Sequence, residues 1–209
     1  MNPLGLAALA ALATRRPARP SNLPPAAGRA AAAQTIAAAA WPLLGRLTPL
    51  AVAQAMTETG WGRAVPGHNW FGIKGSTALG SVNVPTREEF TPGVVTRIRA
   101  NFRRYSSAAA SVADYARFIL GGRYRPARAM SPAGAAVWIW AQGYATATRY
   151  PAALAAVSQA AAKRTGDARL AFSLSRGQAA LAAELARLPA GRKRAAAATA
   201  VFAGGSWPA

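Results

Sequence analysis

A chain of 209 residues can hold one domain of ordinary size with a real core, plus tails. It has no cysteine, which excludes disulfides, thiolate metal sites and a cysteine nucleophile; its single histidine, His68, excludes His-rich zinc sites and argues against a Ser-His-Asp triad. Twenty-five Lys and Arg against six Asp and Glu give a net charge of +19, which draws the chain to polyanions: nucleic acid, anionic lipid or an anionic cell envelope. Any carboxylate chemistry must come from Glu58, Glu88, Glu89, Asp114, Asp167 or Glu184.

The opening MNPLGLAALAALATRR has a short apolar run with no basic residue before it, so it reads as an Ala-rich tail without a clear secretory signal. No stretch in the chain reads as about 20 uninterrupted apolar residues, the length of a membrane span. Residues 14–28 mix proline and arginine with small residues and read as a linker. An Ala-rich helix follows from about 30 to 44. Thr48-Pro49 then signals a helix start, with Thr48 as N-cap and Pro49 at the first helical position. That helix runs through Leu50, Val52, Met56 and Glu58, and Gly60 is its expected stop.

Residues 61–80 are rich in glycine and aromatics without helical period and read as a structured loop. Over 81–105 the pattern changes to alternating, β-branched segments around Thr91-Pro92-Gly93, a small antiparallel β element. Helices resume at Ser111-Val112-Ala113-Asp114, read as a capping start with Asp114 as the capping acid, with Tyr115, Phe118 and Ile119 on one face. Others are expected from Ser131-Pro132 to Gly143 and over about 151–164. After 165 the sequence offers one amphipathic stretch, about 176–188, then the basic GRKR at 191–194. The large apolar side chains concentrate between about 41 and 160, so the compact domain is expected at 29–164, with 1–28 and the basic, Ala-rich 165–209 as extensions. Pattern alone supports an α-rich fold with a hairpin.

Glu58 is the acid with the most suggestive surroundings. It falls in the last turn of its helix, where the macrodipole is negative, and apolar Trp61 and Phe71 follow closely. Both influences disfavour the carboxylate, so its pKa is expected to rise. A carboxylic acid still protonated near neutral pH can protonate a glycosidic oxygen. The competing reading is a surface glutamate on an amphipathic helix.

Several blocks then resemble one family in order. They are Ala53–Arg63 (AQAMTETGWGR), His68-Asn69-Trp70-Phe71-Gly72-Ile73-Lys74-Gly75, Thr86–Phe90, Phe102–Tyr105, Ser111–Tyr115, and Gly143-Tyr144-Ala145-Thr146 with Tyr150. Together they resemble glycoside hydrolase family 73, glucosaminidases that include flagellar-rod hydrolases and many autolysins, over roughly residues 48–160. The resemblance implies an α+β, lysozyme-like fold: a mostly α-helical lobe and a small antiparallel β-hairpin lobe. It implies that Glu58 is the catalytic acid and that Glu89, followed by Phe90 where tyrosine is usual, is the second acid, with Glu88 as the neighbouring candidate. Tyr144 matches a cleft-lining tyrosine that positions the sugar, the alternative being a core aromatic with a satisfied hydroxyl. Trp61, Asn69, Phe71 and Tyr150 are the candidate substrate-binding residues, with at least one of Trp61 and Phe71 expected to pack the loop onto the core. Ala147 stands where the family has an acid, and Trp70 where it has an aliphatic residue.

The function implied is an endo-β-N-acetylglucosaminidase that cleaves bacterial peptidoglycan, without a cofactor or metal, so that a chelator leaves activity intact. Inverting, retaining and substrate-assisted routes stay open, since the carboxylate separation decides between the first two. The charge suits adhesion to an anionic envelope of lipopolysaccharide or anionic lipid, by a monomer that acts at the cell wall, in the periplasm or outside the cell. A near-bare domain with basic tails and no clear signal suggests a phage-type lysin held in the cytoplasm until release. Autolysins and flagellar hydrolases share the domain. A basic C-terminal helix is then expected to help disturb an outer membrane. Two rival readings remain. One is a cationic nucleic-acid- or membrane-binding module using Arg97, Arg99, Arg103 and Arg104 with Phe102, Tyr105 and GRKR, although no specific nucleic-acid motif appears. The other is an inactive wall-binding domain.

Overall fold

The computed structural model describes residues 26–91 and 94–202, with side chains for these except 87–91, 94, 95, 190 and 200–202. The opening apolar run, most of the expected linker, and Pro92 and Gly93 of the expected turn lie outside the described residues.

Two apolar helices open the described chain, α1 (Ala26–Leu44) and α2 (Thr48–Thr59), joined by a 3₁₀ turn at Gly45–Leu47. The linker reading fails at residues 26–28, which are helical. Thr48 does not cap α2 either: it is the first helical residue, Leu47 holds the cap position, and the buried Thr48 hydroxyl has no hydrogen-bond partner. Alanine explains the tight approach of these helices, since Ala33, Ala37, Ala40, Ala51, Ala53 and Ala55 are all buried and let backbones come close. Together they make a run, Ala26–Thr59, long and apolar enough to cross a membrane by length and composition, contrary to the sequence expectation. The run bends at Gly45–Leu47, and most of its apolar window is buried inside the fold, as core helices are.

Strands β1 (Ser81–Thr91) and β2 (Val94–Arg103) form the two-stranded antiparallel hairpin. Their register runs from Ser81 opposite Arg103 to Glu89 opposite Val95, with an irregularity between Glu89 and Thr91. Of the described hairpin side chains only Phe102 is buried, so the hairpin projects from the body.

The remaining helices are α3 (Ala108–Ile119), α4 (Pro132–Ala141), α5 (Tyr150–Thr165), α6 (Arg176–Ala186) and α7 (Ala190–Phe202). The start of α3 is four residues earlier than the motif suggested: Ser107 caps it by accepting from the Ala110 N–H at 3.1 Å. Ser111 is instead buried inside the helix, where its hydroxyl accepts from the Trp70 N–H at 3.2 Å. Asp114, well past the first turn, is an ion-pair centre and no capping acid. Helix α4 does start as expected, Ser131 accepting from the Gly134 N–H with Pro132 behind it. Every residue from Ala133 to Ala141 is buried, which makes α4 the central post of the core.

The stretch after 165 is part of the same body. Leu170, Phe172, Ala182, Leu185 and Ala197 are buried in the common core. Ser175 and Gln178 close a reciprocal capping box at the start of α6. The apolar face of α6 therefore packs inward on α4 and is not presented to a membrane.

Candidate active site

Glu58 lies one residue before the end of α2, which Gly60 closes in the left-handed conformation at φ 59°. Trp61 follows at φ 65°, a region that disfavours a bulky residue, and its N–H is held by the Met56 carbonyl at 2.8 Å. The chain thus turns sharply just beyond the acid. Glu58 is half-buried: solvent reaches it, but protein surrounds its carboxyl. Burial raises its pKa to about 8, opposed only in part by a hydrogen bond from Tyr150. An acid with that value holds its proton at neutral pH and can give it to a leaving oxygen.

A line of buried hydroxyl and amide groups ends on this carboxyl. Tyr115 Oη donates to Gln54 Oε1, Gln54 Nε2 donates to Tyr150 Oη at 3.0 Å, and Tyr150 Oη donates to Glu58 Oε1 at 3.3 Å. Because the Gln54 amide is a donor at one end, the Tyr150 proton is left to face Glu58. Gln54 is fully buried, and Tyr115 and Tyr150 nearly so, which fixes the geometry. Gln54 and Tyr115 were not singled out from sequence. Their spacing on α2 and α3 was legible, but nothing there shows that both side chains converge on Tyr150, 96 residues after Gln54.

Of the other expected site residues, Tyr144 is buried, with its ring stacked 6.1 Å from Tyr150 and its hydroxyl donating to the Phe71 carbonyl at 3.2 Å. That is the core-aromatic arrangement, placed one ring behind Tyr150. Phe71 is 1% exposed and stacked at 3.9 Å on Tyr115, so it packs the loop onto the core and offers no face to a sugar. Asn69 departs from its expected role too. Its Nδ2 donates to the carbonyls of Ile73 and Arg103 at 2.8 and 3.0 Å, and its Oδ1 accepts from the Phe71 and Ile73 N–H groups. At 4% exposure it ties the loop to β2. Trp61 keeps part of its surface open, with the Arg164 guanidinium 4.6 Å over its ring.

The hairpin is sewn to the loop beside the acid. Gly75 N–H donates to the Asn101 carbonyl and Arg103 N–H to the Ile73 carbonyl, both at 2.9 Å, while Tyr105 N–H reaches the Gly67 carbonyl at 2.8 Å. Gly67 has φ 58°, and a Cβ there would stand 2.6 Å from Val82 Cγ2, so only glycine lets the strand approach. Asp114 anchors the root: its carboxylate accepts from Arg103 Nη1 and Tyr105 Oη, each at 2.7 Å. Glu88 and Glu89 lie farther along β1, in register with Thr96 and Val95.

With this geometry in place, residues 34–163 match the model of the glucosaminidase family, described as mannosyl-glycoprotein endo-β-N-acetylglucosaminidase. The chain belongs to the glucosaminidase family. Among its relatives, the peptidoglycan hydrolase FlgJ of Pseudomonas aeruginosa is 35% identical over 119 residues, 52% of this chain and 30% of that protein. The exo-glucosaminidase LytG of Bacillus subtilis is 32% identical over 121 residues, 53% of this chain and 43% of LytG. The glucosaminidase thus spans less than half the length of either relative. Its fold is also that of solved structures. The catalytic domain of the autolysin Auto from Listeria monocytogenes superposes with a TM-score of 0.56 at 28% identity, covering 75% of this chain and 91% of that one. A peptidoglycan hydrolase mutant from Sphingomonas sp. A1 superposes with a TM-score of 0.57 at 30% identity, covering 65% and 97%. The fold is the lysozyme-like one of this family, mostly helical with a two-stranded hairpin.

Proposed function

We propose that this glucosaminidase hydrolyses the β-1,4 bond of peptidoglycan, leaving N-acetylglucosamine at the new reducing end, with Glu58 as general acid. The observation that carries the reading is the half-buried Glu58, with its pKa raised to about 8 and its carboxyl oriented by Tyr150. Glu89 is the proposed second carboxylate. The irregular register beside it supports this, because strand irregularities are a common means of aiming a residue at a site. Trp61 is the proposed stacking platform for a sugar, and Tyr150 and Tyr144 form the wall that positions the acid. The relatives named peptidoglycan hydrolases supply the substrate class.

The deciding experiment digests purified peptidoglycan with the wild type and with Glu58→Gln and identifies new reducing ends by mass spectrometry. Reducing-end N-acetylglucosamine, absent with the variant, is expected. Reducing-end N-acetylmuramic acid would reassign the bond, and no release by the wild type would overturn the hydrolase reading. As a setting we infer a phage-type lysin adhering to the envelope through its charge of +19. Export to the periplasm of a Gram-negative host should then lyse the cells, and unchanged growth would argue for wall remodelling instead.

A further inference from the structure

A concavity is lined by the segment whose Tyr124 ring packs against Tyr144. The 3₁₀ segment Gly122–Ala129, the end of α4 and Ala198 of α7 enclose an open groove of about 990 Å³. Its floor is apolar, built on Met130 and Trp138, both recessed. Its rim carries the guanidinium groups of Arg123, Arg125 and Arg128, all exposed. Among the described residues none of the three has a carboxylate partner, since the ion pairs are those of Asp114 and Asp167. Gln142 also lines the groove. It is 7% exposed, so its amide sits recessed at the groove's edge.

A recessed amide, an apolar floor and three exposed guanidinium groups on one rim, none facing a carboxylate among the described residues, describe a ligand. It is a single extended chain with small apolar side groups, a polar backbone and more than one carboxylate. We propose that this groove binds the peptide stem of peptidoglycan, an inference that rests on the substrate reading above. The stem has alanine methyls for the floor, amides for Gln142 and free carboxylates for the arginines. A lipid bilayer presents a broad surface and would leave the recessed amide unmet. Single-stranded nucleic acid is bound by stacking bases on open rings, and Trp138 is only 2% exposed.

The placement couples groove to cleft. Tyr124 stands between Arg123 and Arg125, and its ring packs 6.1 Å from Tyr144, whose own ring stacks on Tyr150 beside Glu58. Gln142 precedes Tyr144 by two residues, across a left-handed turn at Gly143. The segment is held in place by Arg46, which donates to the Arg128 carbonyl at 2.7 Å. Ala198 of α7, outside the matched residues 34–163, closes one side of the groove, while the arginines and Gln142 lie within the matched span.

The test compares kcat/KM on stem-bearing peptidoglycan and on glycan strands stripped of peptide by an amidase. In the double variant Arg125→Glu, Arg128→Glu, the ratio of the two is expected to fall about tenfold, as removal of paired charges does. The variant Arg176→Glu, Arg187→Glu, with the same change of charge on another surface, should leave the ratio alone. A tetrapeptide stem, L-Ala-D-Glu-meso-diaminopimelate-D-Ala, titrated into the full chain should bind the wild type and bind Gln142→Leu and the Arg125, Arg128 variant several-fold more weakly. An equal loss on both glycans, no change in the ratio, or phosphatidylglycerol vesicles binding where the tetrapeptide does not would each overturn the proposal. If the wild type cleaves neither glycan, the hydrolase reading fails and the tetrapeptide titration still decides the groove.

Discussion

The helical floor and the hairpin each carry one proposed carboxylate, and the fold treats them in opposite ways. Glu58 stands where α2, α3 and α5 meet, and every polar group behind it is buried and hydrogen-bonded in a fixed direction. Glu89 lies on a strand paired with one neighbour, on a hairpin whose described side chains alternate between exposed and half-buried beyond its root at Phe102. A two-stranded ribbon has little stability of its own, so its position depends on the few bonds at its base. The difference teaches that the acid's protonation is set by burial within the body, whereas the second group's contribution depends on how the hairpin is held.

The largest effect should come from Glu58→Gln, with a loss of about 10³-fold or more in peptidoglycan hydrolysis, in the upper range for a general acid. The same change should stabilise the protein at alkaline pH. The folded state keeps the Glu58 proton up to about pH 8, whereas the unfolded chain releases it near 4.5. Between those values the native state binds more protons, so stability falls as pH rises. Melting curves of wild type and variant should therefore coincide near pH 4 and separate by several degrees at pH 9. A constant separation would show that burial does not set this pKa. Wild-type hydrolysis should hold up to about pH 8 and decline above it.

On the hairpin, Glu89→Gln should cost about 10²-fold and Glu88→Gln less than about twofold, if only the first acts on the substrate. Reversal of these two results would move the second carboxylate to Glu88. Melting temperatures of both should stay near wild type, in contrast to Glu58→Gln.

A smaller change tests the floor itself. Tyr150→Phe removes the hydroxyl that donates to Glu58 and lowers its pKa. Hydrolysis should fall about tenfold, and the alkaline limb of the pH profile should move to higher pH, because the ionised acid has lost a donor. A rate loss with the limb unmoved would leave Tyr150 as packing alone.

Much of this arrangement was legible in the sequence, for identifiable reasons. Glu58 stood out because a glycine stop and an aromatic loop follow it, both local signals. The hairpin showed through its alternation, and α4 through Ser131-Pro132. Signals failed where long-range packing outweighed local chemistry. Thr48 has the composition of a cap, but burial of the α1–α2 junction draws it into the helix. Asp114 was read as a cap because of Ser111, although its partners Arg103 and Tyr105 lie on another element. Asn69 and Phe71 matched a family motif, and in the fold both side chains are buried and hold the loop on the body. The stretch after 165 read as an appendage because alanine hides its core residues, and Leu170, Phe172 and Leu185 were too few to show a pattern.

A several-fold effect at the hairpin root separates the two regions most cleanly. Burial opposes ionisation of Asp114, but the hydrogen bonds from Tyr105 and Arg103 outweigh it and hold its pKa below the usual range. Asp114→Asn should cost about 2 kcal/mol near pH 7, since it leaves a partly buried guanidinium and a phenol without their acceptor. For a chain of this size that lowers the melting temperature by roughly 4–8 °C. The stabilisation is present above the unfolded pKa and is lost as pH falls through the lowered folded value. The gap between wild type and Asp114→Asn should accordingly close in acid, whereas the gap for Glu58→Gln opens in base. Because Asp114 secures the strand that pairs with β1, Asp114→Asn should also reduce hydrolysis several-fold while leaving the alkaline limb, set by Glu58, in place. If that limb moves, floor and hairpin are not independent, and the acid's pKa depends on hairpin docking as well as on burial.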